Sequence, residues 1–381
     1  MKKIVWRSGN VPRSAHIVIA LTAVIGLLMV ENFQVTVTQP YYRLKIEAAQ
    51  NMKQAMNIVR DYRISTIGPS DRLIDPFDSG LIGQLNTPIT STTVDLDSKL
   101  TSINPDWAAV IVDMLKKGGV KNRSTVAVSF TGSFPAINIA VLSAVKAMKL
   151  KPIIITSLSS STWGANMKGF TWLDIEAELN KKRVFPYKSA AASLGGVKDM
   201  ALGMDPAGKA LLRDIITRHG VRLIETGHIP SNIDTRMDIY DQMAGAESIR
   251  AYINVGGGTV SVGSFIGKRR FRPGLNRRPP RKALRIDSVM ARFSHEGIPV
   301  VNMNYMKKIA QRYGLSIGRE KRKNIGKGDL YYRLEYNWKL TAGVLSVIIV
   351  LLYIFMKTNA GTRLFSRGGE GAGSGSGKPM L

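Results

Sequence analysis

Two uncharged apolar segments, one toward each end, constrain this chain more than any other feature. The first runs from Ser14 to Val30 and the second from Leu340 to Met356. A helix needs roughly 17 to 25 mostly apolar residues to cross a bilayer, so both segments are at the short end of that range. No small-x-small cleavage pattern follows the first segment, which favours an uncleaved signal anchor over a cleaved signal peptide. We therefore predict one transmembrane helix near each end; a buried core helix is the alternative for either segment.

The charges that flank the two segments disagree about orientation. Four Lys or Arg precede the first segment and two follow it closely, which places the N-terminal tail in the cytoplasm. Around the second segment, six basic residues lie on the side of the central domain and three in the nearby tail, which indicates the reverse. Because the first helix usually dominates, we expect a cell-membrane protein with an extracytoplasmic central domain.

Charge also limits the class of partner. The chain has 54 Lys and Arg against 27 Asp and Glu. Eight of the basic residues and one of the acidic residues lie in the tails, so the part between the two segments has a net charge of +20. Such a surplus attracts polyanions. The chain shows no motif that reads nucleic-acid bases and no aromatic residues interleaved with its cations, so we predict no nucleic-acid partner.

The strongest concentration of cations is the stretch 268–285, here called the basic segment. It contains no acidic residue, and three prolines and a glycine argue against a continuous helix, so it is expected to be an exposed loop that meets a polyanion or lipid headgroups. Its predicted polyanion-binding residues are Lys268, Arg269, Arg270, Arg272, Arg277, Arg278, Arg281, Lys282 and Arg285.

Alternating strand and helix patterns predict the fold of the central part. Ser124–Phe130 is a strand, Ala136–Met148 an apolar helix and Pro152–Thr156 a second strand, which is the spacing of a parallel βαβ unit. The fold class is therefore α/β, with a mainly parallel sheet and flanking helices, bracketed by the two transmembrane helices. The predicted order is a tail (1–13), the signal anchor (14–33), an amphipathic stalk helix with a linker (34–80), the α/β domain (81–311), a charged connector (312–339), the second transmembrane helix (340–356) and a tail (357–381) that is disordered after 367.

Ligands in such sheets gather at the carboxyl ends of the strands. Thr131, Gly132 and Ser133 follow one strand and precede a helix, where free N–H groups bind anions. Anion binding, a plain turn and a nucleophilic Ser133 all stay open, although the run is not a G-x-S-x-G elbow. Gly256, Gly257 and Gly258 follow another strand and indicate either a ligand loop or a bend.

Aromatic residues mark a third region. Trp163 and Trp172 lie in a hydroxyl-rich stretch and either line a pocket or pack on the domain surface. The four histidines are scattered, so no metal site is predicted, and the sequence indicates no particular cofactor.

Three longer runs carry a family resemblance: Gly80–Leu115, Val126–Ala144 and Ser159–Leu179, which contain TSINPDWAA, GSFPA and WGAN-x-x-x-FTWLD. They resemble the bacterial poly-gamma-glutamate system protein family. The resemblance implies a part in making, handling or exporting poly-gamma-glutamate, with other membrane subunits of the synthase as partners. It implies no catalytic residues.

Three functions are compatible with these features. The leading hypothesis is a non-catalytic, membrane-anchored component whose basic domain binds the anionic polymer or the synthase. The second is an amide hydrolase or transferase that acts on the polymer or its precursor. The third is a cytoplasmic-facing nucleotide-binding regulator that uses the glycine run, although the P-loop lysine motif is missing.

Overall fold

The computed structural model describes residues 13–357, which divide into two compact units. The tails predicted at 1–13 and 357–381, including the disorder after 367, lie outside the described residues except for Arg13 and Lys357. The strands are β1 (Val35–Thr38), β2 (Thr90–Thr92), β3 (Thr125–Thr131), β4 (Lys151–Ser157), β5 (Ser160–Ser161), β6 (Asn166–Met167), β7 (Phe170–Thr171), β8 (Ser189–Ser193), β9 (Arg222–Ile224), β10 (Ile249–Val255), β11 (Gly274–Asn276), β12 (Val300–Met303) and β13 (Tyr332–Glu335). The helices are α1 (Arg13–Asn32), α2 (Tyr42–Thr66), α3 (Leu96–Ser102), α4 (Trp107–Lys117), α5 (Pro135–Ala147), α6 (Trp172–Lys181), α7 (Pro206–Arg218), α8 (Ile229–Ala244), α9 (Thr259–Val262), α10 (Ser264–Arg270), α11 (Arg281–Leu284), α12 (Val289–His295), α13 (Met306–Tyr313) and α14 (Trp338–Lys357).

The first unit combines segments from both ends of the described chain. Helices α1 and α14 pack against each other, and β1 pairs antiparallel with β13. A Cβ on Gly26 would lie only 2.3 Å from Val344 Cγ1, so this glycine permits close approach of the two helices. Both helices are long and apolar enough to cross a membrane, and most of their large apolar side chains are exposed. Length and composition alone do not separate the first helix from a signal sequence.

The second unit, Gln39–Tyr331, contains a seven-stranded sheet in the order β11-β12-β10-β3-β4-β8-β9. Every pair in it is parallel except β11 with β12. This is the predicted α/β class with a mostly parallel sheet and flanking helices. Strand β3 is buried over its whole length, which is why TVAVSFT is almost continuously apolar or small rather than alternating.

Successive residues of β3 contact opposite layers of helices, because side chains alternate along a strand. Ala127 belongs to a core cluster formed by α8, α9 and α12, in which Tyr252 stacks on Phe293. Phe130 instead packs edge-to-face on Trp172 of α6, at 5.2 Å between ring centroids. The sheet is therefore covered on both faces.

The helix expected to form a stalk, α2, packs instead against α4 and α5 within the second unit. Its buried face carries Ala48, Met52, Ala55 and Val59, whose small or flexible side chains allow a close fit. The segment expected to be a charged connector is also largely part of this unit, because Tyr331 is buried and donates to Asp106 Oδ1 across 2.6 Å.

The chain changes direction beside β3. From β3 it continues to β4 on one side, whereas β10 lies on the other side of β3. Helix α5, which follows β3, packs on α2 and α4, whereas α9, which follows β10, packs on α8 and α12. The connections thus leave toward opposite faces of the sheet, and a crevice forms at the carboxyl ends of these strands.

Candidate functional site

A cavity of about 370 Å³ occupies this crevice, and we call it the serine-rich cavity. The carboxyl ends of four parallel strands contribute to it through Thr131, Ser157, Gly257 and Asn304. Its volume is in the range of small-molecule sites. None of its lining residues in the described part of the chain is Asp or Glu.

The loop predicted to bind an anion forms one side of this cavity. Thr131 and Ser133 line it directly. The side-chain Nδ2 of Asn138 donates to the carbonyl oxygen of Thr131 across 3.0 Å, which fixes the end of the strand against α5. A Cβ at Gly132 would lie 2.7 Å from the carbonyl oxygen of Leu158, so only glycine allows this close approach of the two backbones.

The glycine run meets that loop across the crevice. Gly257 and Gly258 line the cavity, whereas Gly256 lies against Thr131 with a φ of +90°. A Cβ at Gly256 would lie 2.3 Å from Thr131 Oγ1. Both the conformation and the close contact require glycine here. The structure thus brings together two loops that are separated by more than one hundred residues in the sequence.

Serines at the end of β4 and just after it lie between these two loops. Ser157, Ser159 and Ser161 line the cavity and are almost fully buried. Ser160 Oγ donates to the carbonyl oxygen of Gly132 across 2.9 Å, which holds this segment against the anion loop. Ser159 Oγ is buried and has no hydrogen-bond partner among the described residues. A buried hydroxyl without a partner is uncommon in folded proteins.

One member of the basic segment enters the cavity. Lys268 lines it, and its Nζ lies 5.5 Å from the ring centroid of Tyr305. A Cβ at Gly257 would lie 3.1 Å from Lys268 Nζ, so the lysine reaches the glycine run. Burial lowers the pKa of Lys268. Lys268 is the cavity's lining cation among the described residues, and it favours an anionic ligand.

The remaining cations of the basic segment are exposed and do not line the cavity. The segment was expected to be a loop, but it contains part of α10, the edge strand β11 and the short helix α11. Phe271, Asn276 and Ala283 are buried and attach it to the domain. The exposed cations are Arg269, Arg270, Arg272, Arg277, Arg278, Arg281, Lys282 and Arg285.

The two tryptophans predicted to line a pocket lie elsewhere. Trp172 is fully buried against Phe130 in the core. Trp163 lines a separate cavity of about 360 Å³ together with Arg63 and Asp75. Neither lines the serine-rich cavity. In that hydroxyl-rich stretch, the serines rather than the aromatic residues lie at the site.

A buried ion pair supports the cavity from behind. Arg236 Nη2 lies 2.8 Å from Asp199 Oδ2, and both side chains are 1% exposed. Ser157 Oγ donates to Asp199 Oδ1 across 2.8 Å, and Arg236 Nη2 donates to Ser193 Oγ across 2.7 Å. Asp199 has a positive φ of 63° in the loop after β8, so the ion pair holds that loop against the carboxyl ends of β4 and β8.

No protein-family model, no curated protein and no solved structure matches this chain. Within residues 13–357, no three His, Cys, Asp or Glu side chains are arranged to hold a metal ion.

Sequence reasoning missed two groups of site residues. The first is the serine segment at and after the end of β4. Its hydroxyl content is visible in the sequence, but its position beside the cavity is not. The second is Lys99, a buried lysine of α3 whose Nζ donates to Ser161 Oγ across 2.8 Å. Nothing in the local sequence of α3 distinguishes this lysine from a solvent-exposed one.

Proposed function

We propose that this protein is a membrane-anchored component of poly-gamma-glutamate synthesis or export, and that its α/β unit binds a carboxylate-bearing part of that polymer or its precursor. The observation that carries the proposal is the serine-rich cavity, whose lining within residues 13–357 offers hydroxyls, glycine backbone and Lys268 but no carboxylate. The family resemblance supplies the identity of the anion, and the chemistry of the cavity supports its class.

The size of the cavity limits what it holds. A volume of about 370 Å³ fits one or two glutamyl residues, not a long polymer. The eight exposed cations that follow Lys268 in the basic segment would attract the rest of a chain by long-range electrostatics, which salt screens. Binding is thus expected to have a local component in the cavity and a salt-dependent component on the surface.

The membrane helices and the orientation are part of the same proposal. Helices α1 and α14 would anchor the protein, with the α/β unit outside the cytoplasmic membrane. The chain has no cysteine, so a single Lys121→Cys substitution at an exposed position provides one reactive thiol. A membrane-impermeant maleimide should label it in intact cells; labelling only after lysis would place the unit in the cytoplasm.

The binding test uses the full chain in nanodiscs of zwitterionic lipid, so that headgroups do not compete for the cations. The probes are γ-glutamyl-glutamate and a long γ-linked polymer, and calorimetry measures their affinities. Replacing Lys268 with Met should weaken dipeptide binding about tenfold, because the cavity loses its lining cation. Lys308→Met is the matched control, since Lys308 Nζ also lies 5.5 Å from the Tyr305 ring but does not line the cavity.

A second variant separates the cavity component of binding from the surface component. Replacing the eight exposed cations of the basic segment with Gln should leave dipeptide affinity unchanged and weaken polymer binding severalfold at low salt. Absence of binding for both probes, or dipeptide binding that Lys268→Met does not weaken, would overturn the proposal.

A further inference from the structure

Lys99 is an unusual cation beside the cavity. Its side chain is 1% exposed, and its Nζ donates to the carbonyl oxygen of Ser133 and to Ser161 Oγ. The Nζ also lies 4.2 Å from the ring centroid of Phe134. Among the described residues Lys99 forms no ion pair, and the nearby acid that opposes its deprotonation, Asp95, is paired with Lys307 at 2.6 Å.

This environment favours the neutral amine. Burial lowers the pKa of Lys99 well below its ordinary value of 10.5. A neutral amine donates two hydrogen bonds and accepts one. Its nitrogen therefore has a lone pair that can take up a proton, and Nζ and Ser161 Oγ lie 2.8 Å apart, within reach of a proton transfer.

Ser161 lies where a nucleophile could reach a bound ligand. It is in β5, just after the carboxyl end of β4, and it lines the serine-rich cavity. Its N–H donates to Ser133 Oγ across 3.1 Å, which fixes its backbone. Ser159 lines the same cavity, and its buried hydroxyl has no hydrogen-bond partner among the described residues. In the described residues, the N–H groups of Gly257 and Gly258 have no hydrogen-bond acceptor, so donors remain for a ligand oxygen.

Ser133, the nucleophile that the sequence leaves open, has a different environment. Its hydroxyl accepts from the N–H of Ser161, and Lys99 contacts its carbonyl oxygen rather than its hydroxyl. Of the two serines, Ser161 therefore has the base within reach.

We propose that Ser161 and Lys99 are a nucleophile and general base that act on an amide held in the serine-rich cavity. The cavity favours an amide with a neighbouring carboxylate, because Lys268 is its lining cation. The choice of a γ-glutamyl amide as substrate rests on the proposed function, whereas the pairing of Ser161 with Lys99 does not.

The reaction needs no further reagent than water or an acceptor amine. Ser161 Oγ attacks the amide carbon and forms a C–O bond while its proton passes to Lys99 Nζ. The tetrahedral intermediate then collapses, the C–N bond breaks, and Lys99 returns the proton to the leaving nitrogen, which departs as an amine. Water, or a second amine, attacks the Ser161 ester and gives a proton to Lys99, and the C–O bond to Ser161 breaks as Oγ regains that proton.

The test uses the full chain in nanodiscs with a fluorophosphonate probe, whose phosphorus is attacked by an activated serine with loss of fluoride. Intact mass and peptide mapping should show one adduct, on Ser161, and none in Ser161→Ala. Labelling should slow about a hundredfold in Lys99→Met, because a general base contributes at least that factor. The controls Ser65→Ala and Lys121→Met change exposed residues of the same types and should label like the wild type.

Ser161→Cys keeps the test decisive if Lys99→Met does not fold. The chain has no other cysteine, so iodoacetamide reports on this thiol alone. With Lys99 as base, its alkylation should reach half-maximal rate at a lower pH than that of the exposed Ser65→Cys thiol. A midpoint equal to or above that control, an adduct on Ser133, or no adduct on the wild type would overturn the pair.

The outcomes also separate the pair from the proposed function. Ser161 labelling in a protein that does not bind γ-glutamyl-glutamate would support the pair and refute the proposed substrate. Binding of the dipeptide without Ser161 labelling would refute the pair and leave a binding component.

Discussion

Two buried cations contact serines that line the same cavity, and they differ in whether an acid pairs with them. Arg236 is paired with Asp199, and both groups are bonded further to Ser157. Burial by itself would lower the pKa of Arg236, but Asp199 raises it above its ordinary value. Lys99 has hydrogen-bond acceptors but no ion-pair partner in the described part of the chain, and burial lowers its pKa. Arg236 therefore supports the site as a fixed charge, whereas Lys99 is suited to exchange a proton.

The same contrast recurs between two acids of α6. Asp174 is buried, yet donors from Thr171 and a 2.8 Å contact with His219 Nε2 hold its pKa below the ordinary value against the effect of burial. Burial raises the pKa of Glu176 to about 7, although its carboxylate accepts from the N–H and the hydroxyl of Ser189. Partners therefore decide which of these buried groups stays charged.

The largest expected effect on stability comes from removing the ion-pair partner of Arg236. Asp199→Asn leaves the Arg236 charge buried and uncompensated, so we expect a loss of about 3–5 kcal/mol in unfolding free energy. Denaturant unfolding of the full chain in detergent, followed by tryptophan fluorescence, measures it, because Trp107 and Trp172 are buried in the sheet unit. Glu225→Gln, which breaks the exposed pair with Arg213, is the control and should change the midpoint very little. Equal midpoints for the two variants would contradict the structural role of the buried pair.

An intermediate effect on stability is expected from the protonation of Glu176. Glu176 keeps its proton in the folded state up to about pH 7, whereas the unfolded chain loses it near pH 4.5. Between these values the folded state binds more protons, so stability falls as pH rises, by about 3 kcal/mol over the window at about 1.4 kcal/mol per unit.

Glu176→Gln should remove that part of the slope when unfolding is measured from pH 4.5 to 7. A smaller slope should remain in the variant, because burial also raises the pKa of Asp106, to about 6. An unchanged pH profile in Glu176→Gln would show that Glu176 is ionised in the folded protein at these pH values.

The sequence could predict the parts of this molecule that depend on local pattern. Strands β3 and β4 and helix α5 differ from the predicted bounds by one residue at each end, because β-branched runs and an apolar helix give clear local patterns. The sequence does not predict strand β8, because SAAAS contains no β-branched residue. Its pairing with β4 and β9 in the sheet makes it a strand.

The candidate site was predictable only in part. The two glycine-containing loops follow buried strands, so the sheet rule placed them at one edge. The partners of the buried cations could not be predicted, since Lys99 lies 62 residues from Ser161 and Arg236 lies 37 residues from Asp199. Such contacts depend on how helices pack on the sheet, which no local spacing encodes.

The smallest expected effect, and the sharpest test of the comparison, concerns the stability contribution of Lys99. Its pKa is lowered on folding, so between that value and 10.5 the unfolded chain binds more protons, and wild-type stability should rise with pH in this alkaline window. Lys99→Met should remove the rise and cost about 1 kcal/mol at the alkaline end, where only neutral hydrogen bonds to Ser133 and Ser161 are lost. Unfolding midpoints of both proteins between pH 8 and 10.5 provide the measurement, with Lys121→Met as the exposed control. A loss in Lys99→Met as large as that in Asp199→Asn would mean that Lys99 is a fixed charge like Arg236, and the difference between the two cations would disappear.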